Sequence, residues 1–174
     1  QLPFRPITTS GSTGISVELR TTATTRQLWD ALTLREHLWS QRDFSKRLGI
    51  IRSRKKATRE TDGLVHPNWG APVTPLFASG SSSAIHIGRP VDELAAWLKD
   101  FDPHYLLTYP SIMPWLMDHM AEAGDRPQSL REIRFISEPL DQSLERRLAG
   151  EWQVKSTDIY SANEVGYIAF RCLE

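Results

Sequence analysis

Apolar residues change their spacing along the chain in a way that separates strands from helices. Val17-Glu18-Leu19-Arg20 alternates apolar and polar positions and reads as a short strand, with Thr24 and Thr25 behind it as candidate helix N-caps. Leu28, Ala31, Leu32, Arg35, Leu38 and Trp39 then recur at spacings of three and four, which predicts a helix with one apolar stripe from about residue 25 to residue 47. Residues 53–83 mix a basic run, Pro, Gly and the Ser81-Ser82-Ser83 cluster without a period, and read as loops with short strands. From Ala84 the pattern is regular. Ala84 to Ile87 is a strand, and Val91, Leu94, Ala95, Leu98 and Phe101 mark a helix face that Asp102-Pro103 breaks. Tyr105 to Tyr109 is an apolar strand ended by Pro110, and Ser111 caps a helix carrying Ile112, Leu116, Met117 and Met120, with Gly124 as its stop. Ile133 to Ile136 is the next strand. Leu140, Leu144 and Leu148 stand four apart on a helix ended by Gly150, and Val154 to Tyr160 and Tyr167 to Phe170 are the last strands.

Strands alternating with helices of about ten residues imply right-handed crossovers, so the predicted fold is α/β, a doubly wound, mostly parallel sheet with helices on both faces. In such sheets ligands bind beyond the carboxyl ends of the strands. The segments that follow the strands are Tyr109-Pro110-Ser111, Ser137-Glu138-Pro139 and Tyr160 to Glu164, and all three belong on one edge.

Composition narrows the class. A chain of 174 residues with 40% hydrophobic residues and six Trp can bury one ordinary core. Lys plus Arg equals Asp plus Glu at 21 each, so no global field favours nucleic acid or an anionic membrane, and Arg52-Ser53-Arg54-Lys55-Lys56 reads as a solvated face. A single Cys172 excludes an internal disulfide and, with no apolar run near bilayer length and no leader pattern, suggests a cytoplasmic protein. The start at Gln1, seven residues before the first candidate loop, suggests a piece of a longer polypeptide. The five His show no metal spacing, and Trp29, Trp39, Trp97 and Trp115 at helical stripes read as packing residues.

Two short polar segments carry the candidate chemistry. Thr9-Ser10-Gly11-Ser12-Thr13-Gly14 supplies hydroxyls, and glycines that let backbone N–H groups approach an anion, which suits phosphate. It is not the common nucleotide-triphosphatase loop, because Gly14 is followed by Ile15 and Ser16 rather than Lys and Ser or Thr. In Asp158-Ile159-Tyr160-Ser161-Ala162-Asn163-Glu164, the Tyr160 ring can lie against a purine, Asn163 can donate to phosphate, and Glu164 is a hard ligand suited to Mg²⁺. Tyr160 ending a core strand, Asn163 making a turn and Glu138 complementing a helix N-terminus are the structural alternatives.

Thr9 to Gly14 resembles the phosphate-binding signature of the adenylate-forming enzyme superfamily, and Asp158 to Glu164 resembles its later Tyr-Gly-x-Thr-Glu motif. Between them, Thr108-Tyr109-Pro110-Ser111 and Leu130-Arg131-Glu132-Ile133-Arg134 leading into Ser137-Glu138-Pro139-Leu140 resemble the phenylacetate–CoA ligase branch. The resemblance implies a fragment of the large N-terminal domain, with residues 1–83 as the phosphate-loop part and 84–174 as a Rossmann-like part. It implies activation of a carboxylic acid, aromatic by the branch, with ATP to an acyl-adenylate, then transfer to coenzyme A. On this analogy Thr9 to Gly14 grip the β and γ phosphates. Ser137, Glu138, Pro139, Asp158, Ile159, Tyr160 and Asn163 surround the adenylate, and Glu164 holds Mg²⁺. Tyr109, Pro110, Ser111 and His86 are assigned to the acyl pocket.

The sequence departs from the family in places. Ser161 stands where Gly is usual and Asn163 where Thr is usual, the Pro-Lys-Gly after the first loop is missing, and the chain ends at Glu174 before the ribose-binding Asp and the small domain with the catalytic Lys. Cys172 as a ligand of a zinc site further on is weighed against a plain thiol. The expected partners are a small carboxylic acid and a nucleotide, with no nucleic acid or membrane, and a homo-oligomer is allowed. A non-catalytic binding or assembly module and a non-CoA acceptor stay open as alternatives.

Overall fold

Leu48-Gly49-Ile50-Ile51-Arg52, a run with few polar residues, forms the strand on which the main sheet is built, as its two-sided burial demands. The computed structural model describes residues 4–8, 18–53, 61–162 and 166–171. Strands β1 (Phe4–Thr8) and β2 (Glu18–Thr22) pair antiparallel, and helix α1 (Ala23–Trp39) follows. Then come β3 (Leu48–Arg52), β4 (Val65–His66), β5 (Ser82–His86), α2 (Val91–Phe101), β6 (Tyr105–Thr108), α3 (Met113–Glu122), β7 (Glu132–Ile136), α4 (Gln142–Arg147), β8 (Lys155–Ala162) and β9 (Gly166–Phe170). Among the described residues the main sheet has the order β4-β5-β3-β6-β7-β8-β9. Its five central strands run parallel and its outer pairs β4–β5 and β8–β9 are antiparallel. The α/β fold with a mostly parallel sheet is therefore the observed one, and β3 and β4 of the first half belong to the same sheet as the second half.

Helices cover both faces. Leu94 and Leu98 of α2, Leu116, Met117 and Met120 of α3, and Leu144 of α4 pack on Ile51, Ile85, Leu106, Ile133 and Phe135 of the strands. Full burial of one such side chain stabilises by about 1.5–3 kcal/mol, so this face holds the main core. The opposite face carries a smaller cluster of Leu48, Trp69, Val73 and Tyr105, against which Leu34 of α1 and Phe44 pack.

α2 matches the expectation from its period, and Asp102 ends it in the left-handed region at φ 44° with its N–H on the Leu98 carbonyl. Three other expectations need correction. Helix α1 ends at Trp39, and its apolar stripe faces out: Leu28, Leu38 and Trp39 are 60%, 49% and 57% exposed, while Glu36 and His37 are buried. Its N-cap is Thr22, whose Oγ1 accepts from the Thr25 N–H at 3.2 Å. Gly150 does not stop α4; it lies within a wide π-type turn, Leu148–Trp152, that the chain leaves at Gln153 with φ 58°. Trp39 and Trp115 are exposed rather than packed, whereas Trp97 stacks on Phe101 and donates from Nε1 to Ser83 Oγ at 3.0 Å. No described helix is long and apolar enough to cross a membrane.

Two glycines separate steric demand from chain freedom. A Cβ on Gly80 would stand 2.4 Å from the Ser45 carbonyl oxygen and 2.6 Å from that of Lys46, whereas one on Gly150 meets nothing within 4 Å. Gly80→Ala is expected to lower stability by at least about 2 kcal/mol, because the obstacle is backbone. Gly150→Ala is expected to raise it by about 0.5–1 kcal/mol. Urea unfolding of the two variants checks both signs.

Candidate functional site

The register of β6, β7 and β8 brings their carboxyl ends side by side, which places the loops after them on one edge. After β6 the chain turns through Pro110–Ile112 into α3, and Tyr109 Oη accepts from the Ser53 N–H of the loop after β3 at 3.3 Å. After β7, Ser137 adopts φ 67°, and Glu138 reaches across to the neighbouring loop. Its Oε2 accepts from the Ser111 N–H at 2.9 Å and its Oε1 from the Ser111 hydroxyl at 3.0 Å. Glu138 thus complements the start of the α3 segment rather than that of α4, the helix that follows it, which Asp141 caps, and it ties two of the predicted segments together. His86 ends β5; its Nδ1 accepts from the Gly88 N–H at 2.9 Å and its own N–H donates to Asp62 Oδ1 at 2.8 Å.

Beside β8 lies an open cavity of about 430 Å³. Leu140 and Gln142 from the start of α4, Asp158 and Tyr160 from β8, and Arg171 line it. Tyr160 is 65% exposed, so it does not end a buried strand position and its ring is available to a flat ligand; Ile159, 2% exposed, faces the opposite side. Arg171 donates to Glu145 Oε1 at 2.6 Å and frames the cavity with a fixed charge pair. Ser111, Glu138, Asp158 and Tyr160 of the predicted set therefore gather around the ends of β6, β7 and β8. Thr9 to Gly14, Asn163, Glu164 and Cys172 lie outside the described residues. Among the described residues no group of three or more His, Cys, Asp or Glu could hold a metal ion.

A second cavity, of about 450 Å³, opens on the other face of the sheet, between α1 and β3, β6, β7 and β9. None of the four residues predicted for the acyl pocket, His86, Tyr109, Pro110 and Ser111, is among those lining either cavity. Thr25, Trp29, Thr33 and His37 supply the helix wall, and their four-residue spacing was the available signal. An apolar stripe is the usual mark of an inward helix face, so this polar and aromatic one passed unread.

At the inner end of this cavity the sheet carries buried charge. The Arg42 guanidinium donates to Glu132 at 2.8 and 2.6 Å and pairs with Glu36 at 2.6 Å. Arg134 Nη2 donates to the other Glu36 oxygen at 2.5 Å, and Thr157 Oγ1 donates to Glu132 Oε1 at 2.6 Å. Burial works against the charged form of Glu132, yet the hydrogen bond and charge of Arg42 hold its carboxyl below the usual range. Burial opposes the Arg42 charge too, and its bonds to Glu132 and Glu36 outweigh that and raise its pKa. His37 has no carboxylate of its own. Burial first, then the charges of Arg134 and Arg42, lower its pKa to about 2, so it is neutral. Arg42 Nη1 lies 3.3 Å from His37 Nδ1, and because a guanidinium only donates, Nδ1 accepts and Nε2 carries the proton.

No family model and no curated protein matches this chain. Solved structures do. A 2-hydroxyisobutyryl-CoA ligase, crystallised with 2-HIB-AMP and CoA, superposes with a TM-score of 0.66 at 17% identity over 91% of this chain and 33% of its own. A long-chain-fatty-acid–CoA ligase from Archaeoglobus fulgidus gives 0.64 at 10% identity over 97% and 33%. A luciferase-like enzyme from the mealworm Zophobas morio gives 0.58 at 12% identity over 95% and 36%. The chain spans about a third of the length of these structures and has their fold over that span.

The neutral His37 makes stability depend on pH. Its folded pKa lies below the ordinary 6.5, so the unfolded chain binds a proton the folded one refuses. Stability is therefore complete above about pH 6.5 and falls as the pH drops toward 2, by up to about 1.4 kcal/mol per pH unit for this one group. His104, lowered by burial and by Arg47, adds in the same direction, and Glu132 does so below the carboxylate range. Urea unfolding between pH 7 and pH 5 is expected to show this slope, and His37→Gln to remove its share.

Proposed function

We propose that this chain is the nucleotide-binding core of an ATP-dependent, AMP-forming acid–thiol ligase of the phenylacetate–CoA ligase type. The observation that carries the reading is the meeting of Asp158 and the exposed Tyr160 ring with Leu140 and Gln142 in one cavity at the edge where Glu138 binds Ser111. A flat base stacked on Tyr160 fits that cavity, and the fold shared with CoA ligases supports the same use of the edge. Thr9 to Gly14 then grip the β and γ phosphates, Asn163 meets the α-phosphate, and Glu164 supplies the carboxylate for Mg²⁺. When bound, that ion would offset charge on the phosphates. Ser137, Glu138 and Pro139 border the adenine. The residues of this chain bind and orient; in the proposed reaction a carboxylate oxygen attacks the α-phosphate and expels pyrophosphate, and the coenzyme A thiol, losing its proton, then takes the acyl group and expels AMP. Because the chain spans about a third of its structural neighbours, turnover itself is assigned to a longer polypeptide and nucleotide binding to this part.

Calorimetric titration of the 174-residue chain with ATP and Mg²⁺ tests the reading. Saturable binding is expected, weakened about tenfold by Tyr160→Ala through lost stacking, and weakened also by Ser12→Ala. An intact, folded chain that takes up no ATP would overturn it.

A further inference from the structure

The loop from β7 to α4, residues 137–141, opens on a residue held out of its ordinary conformation. Ser137 stands at φ 67°, where glycine sits at little cost and a residue with a Cβ does not. Such a conformation persists only where the surroundings impose it. β7 lies parallel to β8 with Ile136 beside Ile159, so one step further on Ser137 comes beside Tyr160 at the carboxyl edge. Its turn therefore sets how the chain passes the exposed Tyr160 ring on the way to Leu140 and Gln142, which line the cavity beside β8. The far end of the loop is fixed separately, because the Asp141 carboxylate accepts from the Ser143 N–H at 2.6 Å and caps α4. Between these ends the side-chain hydrogen bonds of residues 137–140 are, among the described residues, the two that Glu138 makes. One of its oxygens takes the Ser111 N–H at 2.9 Å and the other the Ser111 hydroxyl at 3.0 Å. Ser111 is a firm support, since its turn runs directly into α3, which Met113, Leu116 and Met117 bury in the core. Neither Glu138 nor Ser111 lines the cavity.

We propose that Glu138 is a positioning residue for the nucleotide: its carboxylate latches the loop after β7 to the turn that opens α3, and so keeps Ser137 left-handed beside Tyr160 and a slot for the base already formed. This rests on the nucleotide reading of the cavity, and it assigns the Glu138 carboxylate an action through Ser111 rather than a contact with the base. Unlatched, Ser137 returns to the ordinary backbone regions. A base then binds only the fraction of chains whose loop is in place, and the measured affinity falls by that fraction.

Calorimetric titration with ATP and Mg²⁺, run on the unaltered 174-residue chain and on variants of the latch, tests this. Glu138→Ala is expected to weaken ATP about tenfold, the loss that follows if about one loop in ten stays in place. Ser111→Ala removes one of the two bonds and is expected to weaken ATP about threefold, and the double variant to bind no more weakly than Glu138→Ala alone, because both changes undo one contact. Glu138→Gln keeps an acceptor for the Ser111 N–H and gains a donor for its hydroxyl oxygen, so it is expected to bind ATP within about twofold of the unaltered chain. A carboxylate that touched the base directly would make Ser111→Ala silent, because Ser111 lines neither cavity. Affinity unchanged in Glu138→Ala or Ser111→Ala, losses that add in the double variant, or Glu138→Gln as weak as Glu138→Ala would each overturn the latch while the nucleotide reading stands. An unaltered chain that takes up no ATP sinks the nucleotide reading and the latch's role together.

Discussion

A helix whose inward face is polar needs something other than hydrophobic contact to hold it on a sheet, and here that is the buried cluster of Arg42, Glu36, Glu132 and Arg134. Two positive and two negative groups cancel. Each carboxylate oxygen of Glu132 has a donor, and Glu36 divides its oxygens between the two arginines. Charges removed from water cost several kcal/mol each, so such a cluster is not a general source of stability; deleting one member is the costly event, at about 3–5 kcal/mol, because the others are then left unpaired. What the cluster supplies is position. Glu36 comes from α1, Arg42 from the chain just after it, Glu132 and Arg134 from β7, and Thr157 from β8, so one helix is fixed against two central strands at one register.

That fixed helix explains the second cavity. Glu36 holds the far end of α1 over mid-sheet, while Trp29 near its start meets Tyr167 of β9 at 5.9 Å between ring centroids. Gly166 permits this approach, since a Cβ there would lie 3.2 Å from the Trp29 ring and the backbone stands at φ 83°. Held at both ends, the helix bridges the sheet rather than collapsing onto it. A fully apolar α1 face would have closed the gap with side chains; threonines and a neutral histidine leave it lined with groups that tolerate a guest.

The sequence was most legible where a single physical cause acts. The α2–α4 face is governed by apolar burial, and its strands and helices follow the periods of Ile133 to Ile136 and of Leu94, Ala95 and Leu98. The carboxyl-edge loops follow from the parallel order alone. Illegible were the elements where causes compete. β3 is unmarked because its five residues lie between a helix expected to reach residue 47 and an aperiodic stretch, although it is an interior strand of the sheet, paired on both sides. Helix α1 was found and turned the wrong way round, because Leu28, Leu38 and Trp39 look like a core stripe and Glu36 and His37 look like a surface. Pairing partners 90 and 98 residues further on, as Glu132 is to Arg42 and Arg134 is to Glu36, leave no trace in local spacing. Around the edge, Glu138 lies in the loop after β7 as the period implies, while β8 runs past Tyr160 to Ala162, and the helix wall at Thr25, Trp29, Thr33 and His37 has no apolar mark to show it.

The two cavities lie on opposite faces of one sheet, since Thr157 and Ile159 of β8 face the α1 side and Asp158 and Tyr160 the α4 side. A reaction between ligands in both can occur only around the carboxyl edge, because the sheet between them is closed by backbone hydrogen bonds. β8 and β9 converge at that edge, where Ala162 pairs with Gly166. Any division of labour between the two cavities is therefore spatial: a ligand in one is separated from a ligand in the other by the sheet, and only the rim can bring the two together.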